Sequence, residues 1–125
     1  MRQARSSQEL LAAAYAAFNA RDICAALALM HPDVDWPNGM EGGRLQGHVA
    51  VRGYWERQWA VIDPCVEPIR FRQDEGGRIA VEVHQVIRDL TGTIVSDQIV
   101  QHVYTMQGNL IQRMNIEKKE HEVYV

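Results

Sequence analysis

Between Gln98 and Met106 the chain reads Gln-Ile-Val-Gln-His-Val-Tyr-Thr-Met, which puts an imidazole two residues from a phenol. With a strand's period of two, one face carries Gln98, Val100, His102, Tyr104 and Met106. Such a face is expected to be buried, and a buried imidazole needs a reason. One reason is chemistry: near neutral pH an imidazole can give or take a proton, and a phenol beside it can orient it. The other is packing, with His102 held by Tyr104, Gln98 or a water inside an ordinary core. The first reading makes His102 the candidate catalytic residue.

Other side chains suited to line a pocket are aromatic or amide-bearing. Trp36 and Trp55 could wall a flat apolar ligand or simply fill the core. Trp59 lies one helical turn beyond Trp55 and is expected on the same face, as wall or as a contact between copies. Tyr15 offers a hydroxyl to a ligand oxygen, or packs a helix. His84 alternates with an apolar set (Val81, Val83, Ile87), which sends His84 outward and brings Gln85 inward. Met114 and Ile116 read as inward and Arg113 as outward. Asp97 is out of phase with His102, so no Asp–His pair is expected. His31, His48 and His121 lie at element ends or in the tail, and no carboxylate or cysteine stands at ligand spacing, so no metal is expected.

These side chains need elements to position them. Ser6 with Glu9 resembles a capping box, opening a helix to Ala20 with Leu10, Leu11, Ala14, Tyr15 and Phe18 on one face. Asp22 can cap a second helix, Ile23 to Met30, with His31-Pro32 as its stop. A short strand, Val34 to Pro37, leads into a glycine-rich loop from Asn38 to Gln46. A third helix fits Val49 to Ile62, closed by Asp63-Pro64. Strands follow at Val66–Gln73, Arg78–Asp89, Thr93–Met106 and Leu110–Lys118, with turns at Asp74–Gly77, Thr91-Gly92 and Gly108-Asn109. The charged tail from Lys119 to Glu122 is expected to fray. Helices followed by hairpin-linked strands indicate an α+β fold with the helices on one sheet face.

At 125 residues the chain has the length of one domain, 1–125, with neither repeat nor linker. A net charge of −3 provides no basic field for nucleic acid. No export signal and no apolar run near 18 residues is evident, so a cytoplasmic protein with no membrane span and with reduced Cys24 and Cys65 is expected, one disulfide remaining open.

The order of elements resembles the cone-shaped NTF2-like superfamily, and within it the SnoaL-like and ketosteroid-isomerase-like branch. The resemblance rests on Ala17-Phe18-Asn19-Ala20-Arg21-Asp22, on His31-Pro32-Asp33-Val34-Asp35-Trp36, and on Gly47 with Val51, Tyr54 and Trp55. His102-Val103-Tyr104 leading into Gly108-Asn109-Leu110-Ile111 completes it. It implies three N-terminal helices packed on a curved antiparallel sheet, an inward face for Gln98, Val100, His102 and Tyr104, and a homodimer through the sheet. By the same likeness His102 takes the place of the protonated aspartic acid of the isomerases' oxyanion hole. Trp36 stands where their general base stands, with Asp35 pointing the other way; Ala14 stands where their oxyanion tyrosine does, with Tyr15 displaced by one. An indole N–H cannot abstract a proton, so steroid isomerisation is not expected.

The leading expectation is a SnoaL-like isomerase, cyclase, hydrolase or dehydratase acting by acid–base chemistry on a small hydrophobic molecule bearing a carbonyl. His102 would be its proton shuttle or oxyanion donor, with no cofactor. Tyr15, Gln98 and Tyr104 would orient the substrate, and Trp36, Trp55, Trp59, Gln85 and Met114 would surround it. The rivals are a non-catalytic binder of an apolar metabolite and a structural protein whose pocket is filled by its own side chains.

Overall fold

Ser6 caps the first helix. Its hydroxyl accepts from the Glu9 backbone N–H at 3.1 Å, and the Glu9 carboxylate accepts from the Ser6 N–H at 3.0 Å. The computed structural model describes residues 6–74 and 76–118, and with those two bonds it starts α1, Ser7–Asn19. The expectations for the tail, His121 included, and for residue 75 in the Asp74–Gly77 turn lie outside the described residues.

Asp22 caps α2, Ile23–Leu27, by accepting from the Ala25 N–H at 3.1 Å. This helix is shorter than expected. Met30, His31 and Pro32 lie instead in β1, Met30–Pro37, because the chain is drawn into a sheet ladder: Met30 stands beside Ile111, and the Ile111 N–H donates to the Leu29 carbonyl at 2.9 Å. Pro32 is tolerated there because the register with the neighbouring strand breaks between Met30 and Asp35. The expected glycine-rich loop contains a short strand, β2, Arg44–Gln46. Gly47 then turns the chain into α3, His48–Trp59, with φ of 88°, a conformation that favours glycine.

Asp63-Pro64 does not close α3. The helix ends at Trp59, and β3 runs Ile62–Gln73 through both residues. The sheet order β2-β1-β6-β5-β4-β3 explains it: β3 is an edge strand, where a proline need not donate to a ladder. The remaining strands are β4, Ile79–Asp89, β5, Ile94–Gln107, and β6, Leu110–Lys118.

Two features depart from the expected architecture. The sheet is mixed, since β1 runs parallel to β6 while its other pairings are antiparallel. The third helix follows two strands rather than completing a helical N-terminal half. The NTF2-like α+β arrangement of helices on a six-stranded sheet holds. Register shifts in four of the five pairings provide bends that let the sheet curve around its inner face. Among the described residues no helix is long and apolar enough to cross a membrane.

The motif after α1 ties the helices to the sheet. Asn19 donates to the Val66 carbonyl at 2.8 Å and accepts from the Val66 N–H at 2.9 Å. Arg21, in the left-handed region at φ 64°, reaches the Asp63 carboxylate and the Pro64 carbonyl while its guanidinium lies 4.9 Å from the Trp59 ring. Each side chain from Asn19 to Asp22 that can hydrogen-bond therefore either ends one helix, starts the next or clamps β3.

Candidate functional site

The inner face of β5 carries the candidate site residues. Because side chains alternate, Val100, His102 and Tyr104 all point under α1, and each is buried. Tyr15 comes down from α1 to meet them. The Tyr104 hydroxyl donates to the Tyr15 hydroxyl at 2.8 Å, and the Tyr15 oxygen lies 2.7 Å from His102 Nδ1. A hydroxyl has one proton. Since Tyr15 accepts from Tyr104, its own proton is free to go to Nδ1, and this network assigns the imidazole proton to Nε2. No hydrogen bond from a described residue meets Nε2.

Burial keeps this chain neutral. His102 is 5% exposed, and the cost of desolvating an imidazolium pushes its pKa down to about 4. Desolvation likewise raises Tyr15 and Tyr104, so neither phenol ionises near neutral pH. The three groups form an uncharged relay, Tyr104 to Tyr15 to His102, ending on a donor N–H.

His102 belongs to the wall of a cavity of about 630 Å³, within the usual size range for small-molecule sites. Tyr15, Trp36, Trp55, Gln85, Gln98, His102, Tyr104 and Met114 all line it. Trp36 and Trp55 meet edge to face, with ring centroids 5.8 Å apart. Trp59 is not on the wall. It stacks behind Trp55 at 5.8 Å and is covered by Arg21 and Phe18, because α3 has by then passed the cavity and reached the α1–β3 junction. Met106 also lies off the wall, beyond a register shift after Thr105. The cavity lies open between these side chains, unlike the self-filled pocket of the structural rival.

Several side chains take positions that follow from strand phase. Asp35 points away from the cavity and is held by Arg44 at 2.6 Å and by Arg113. Asp97 pairs with His84 at 2.7 Å on the outer face, far in phase from His102. Both cysteines are free, and among the described residues no group of three or more side chains could hold a metal. Among the described residues the wall includes one acidic residue, Glu117, whose carboxylate accepts from Gln101 at 3.3 Å, and one arginine, Arg44, already engaged by Asp35, Asn115 and the Met114 carbonyl.

The mouth was not legible in the sequence. Residues 37–40 and Gly43 close one side of it, and the Tyr54 hydroxyl anchors that loop by accepting from the Met40 N–H at 3.2 Å. Glu41 clasps Arg57 with two bonds of 2.8 and 2.9 Å, and that guanidinium holds the Glu41 pKa at about 2. Tyr54 and Gln58 do share a helical face, spacing that could have flagged them. Glu41 and Arg57 carry no periodic signal at all.

Known proteins share the fold. The SnoaL-like domain model matches residues 11–114. The structure of TerC, co-crystallised with polyporic acid, is 30% identical, with a TM-score of 0.78 over 90% of this chain and 91% of that one. An NTF2-like protein of unknown function from Burkholderia pseudomallei is 24% identical, with a TM-score of 0.78 over 90% of each chain. A protein of Pseudomonas putida proposed to be a polyketide cyclase is also 24% identical, with a TM-score of 0.79 over 92% of each. No curated protein matches the chain.

Proposed function

The chain belongs to the SnoaL-like domain family, and from that premise we propose that it is a small-molecule enzyme whose His102 Nε2–H polarises a ligand carbonyl. The observation that carries this reading is the neutral Tyr104–Tyr15–His102 relay ending at the cavity wall. A neutral imidazole held in one tautomer is a preorganised donor, and a donor aimed at an oxygen is strongest where water is excluded. As a base drawn from solvent takes the proton from the carbonyl's neighbouring C–H, the electron pair of that bond moves onto the oxygen as negative charge, and the N–H stabilises it. The same imidazole is a poor general base at neutral pH, since its pKa near 4 lies far from the working range. Of the two roles open to His102, oxyanion donor is therefore favoured over proton shuttle.

Trp36, Trp55 and Met114 supply an apolar surround for a flat ligand, while Gln98 and Gln85 supply polar contacts further out. Isomerisation, cyclisation and dehydration all pass through such an enolate-like oxygen. TerC, with polyporic acid bound, supports a small-molecule ligand for this chain as well.

Enolisation can be read without knowing the substrate, by hydrogen–deuterium exchange at the methyl group of 4-acetylbiphenyl in heavy water. Wild-type protein is expected to accelerate exchange, and His102→Gln to lose roughly 100-fold or more of that rate, the usual cost of one oxyanion donor. Full exchange activity in a folded His102→Gln protein would sink the proposal. Binding without exchange in the wild type would favour the second reading, a module that sequesters an apolar metabolite. That reading draws on the scarcity of bases, since Glu117 is the wall's one carboxylate among the described residues.

A further inference from the structure

Gln85 and Gln98 are direct partners across the β4–β5 ladder, both on the inner face and both on the cavity wall. Their neighbours on that face are apolar. Val83 and Val100 form the next pair inward, both buried, and Val66 faces Gln85 from β3. Gln85 is half-buried, yet no hydrogen bond ties its carboxamide to any described residue. Gln98, at the exposed mouth, donates to Ser96 at 3.0 Å and leaves its carbonyl oxygen uncommitted. Two carboxamides with spare donors and acceptors on an apolar wall are what a ligand site offers, since each can exchange a hydrogen bond to water for one to a ligand.

Their distance from His102 sets a length. Gln98 and His102 are four residues apart on one strand, or about 13 Å at the strand rise. Resting on the reading of His102 above, we propose that Gln85 and Gln98 form a second polar station for the ligand's outer end. The preferred ligand is then a long, uncharged, mainly apolar molecule with a carbonyl at one end and a hydroxyl or carbonyl at the other. The outer end is neutral because both amides are neutral, Arg44, the guanidinium on the wall among the described residues, is already occupied, and the Glu117 carboxylate accepts from Gln101 at 3.3 Å. The middle is apolar because Val100, which stands between Gln98 and His102 on the inner face of β5, lines the wall there.

Two rigid probes separate the stations: 4-acetylbiphenyl, with one oxygen, and 4-acetyl-4′-hydroxybiphenyl, with one at each end. Quenching of the cavity tryptophans reports affinity for each. The wild type is expected to prefer the hydroxylated probe by roughly 3- to 10-fold, the range of one neutral hydrogen bond. In Gln85→Leu/Gln98→Leu that preference should fall to about one, with the circular dichroism spectrum retained. In His102→Gln both probes should weaken by a common factor, leaving the preference in place. Equal affinities in the wild type, with both lowered by His102→Gln, overturn the second station and leave the His102 reading standing. A preference that survives the double glutamine variant overturns it too, and binding of neither probe overturns both.

Discussion

His102 stays neutral because nothing near it repays the loss of solvent: its partners are two phenols, neither of which ionises near neutral pH. The consequence for stability has a definite sign. In the unfolded chain the imidazole takes up a proton near its ordinary pKa of about 6.5, whereas the folded protein resists until about 4. Stability from this group is therefore complete above pH 6.5, declines as pH falls toward 4, and levels off below. A displacement of that size is worth on the order of 3 kcal/mol, at about 1.4 kcal/mol per tenfold change in proton affinity. Urea melts of the wild type between pH 7 and pH 4 should show this slope, and His102→Gln should lack that part of it. Identical slopes would mean that His102 is hydrated in solution. Ligand affinity that depends on the neutral ring should hold down to about pH 5 and then fall.

The element that sets the site's geometry is α1, since Tyr15 reaches Nδ1 only if the helix sits at the correct height above the sheet. Asn19, one turn beyond Tyr15, fixes that height through its two bonds to Val66 on β3. Replacing Asn19 by Ala leaves a backbone N–H and carbonyl of β3 half-buried and unmet, a loss of roughly 1–3 kcal/mol. Thermal unfolding should register it. The deuterium-exchange rate should fall as well, because a loosened α1 releases the His102 tautomer. An exchange rate equal to wild type would show that Tyr15 is positioned by core packing alone. The capping signals at Ser6 and Asp22 were legible because a cap is local chemistry. The ends of α2 and α3 were not, since proline stops a helix locally but tells nothing of the register break that accepts Pro32 or the sheet edge that accepts Pro64 as strand.

For the molecule as a whole, the outer sheet face stays uncovered, with Ile99 41% exposed beside the His84–Asp97 pair. An exposed branched apolar residue on a broad sheet face suits a contact between copies, and a homodimer through this face is the expected state. Light scattering should return twice the 14.2 kDa chain mass, and Ile99→Glu should halve it. A wild-type monomer at micromolar concentration would contradict the pairing. What the sequence by itself determined were the features governed by short-range rules. Strand alternation alone put His102, Gln98 and Tyr104 on one face, turned Asp35 and Asp97 away, and favoured Gln85 over His84; the helix caps and the hairpin at Gly108-Asn109 were equally local. What only the tertiary structure decided were meetings between distant parts of the chain. The hydrogen bond from Tyr15 to His102 spans 87 positions, the clasp of Glu41 on Arg57 spans 16, and Trp59 was removed from the cavity by the packing of Arg21 across it. No periodicity records such contacts, because each depends on how far a strand bends and where a helix stops, and those are set by the sheet the whole chain builds together.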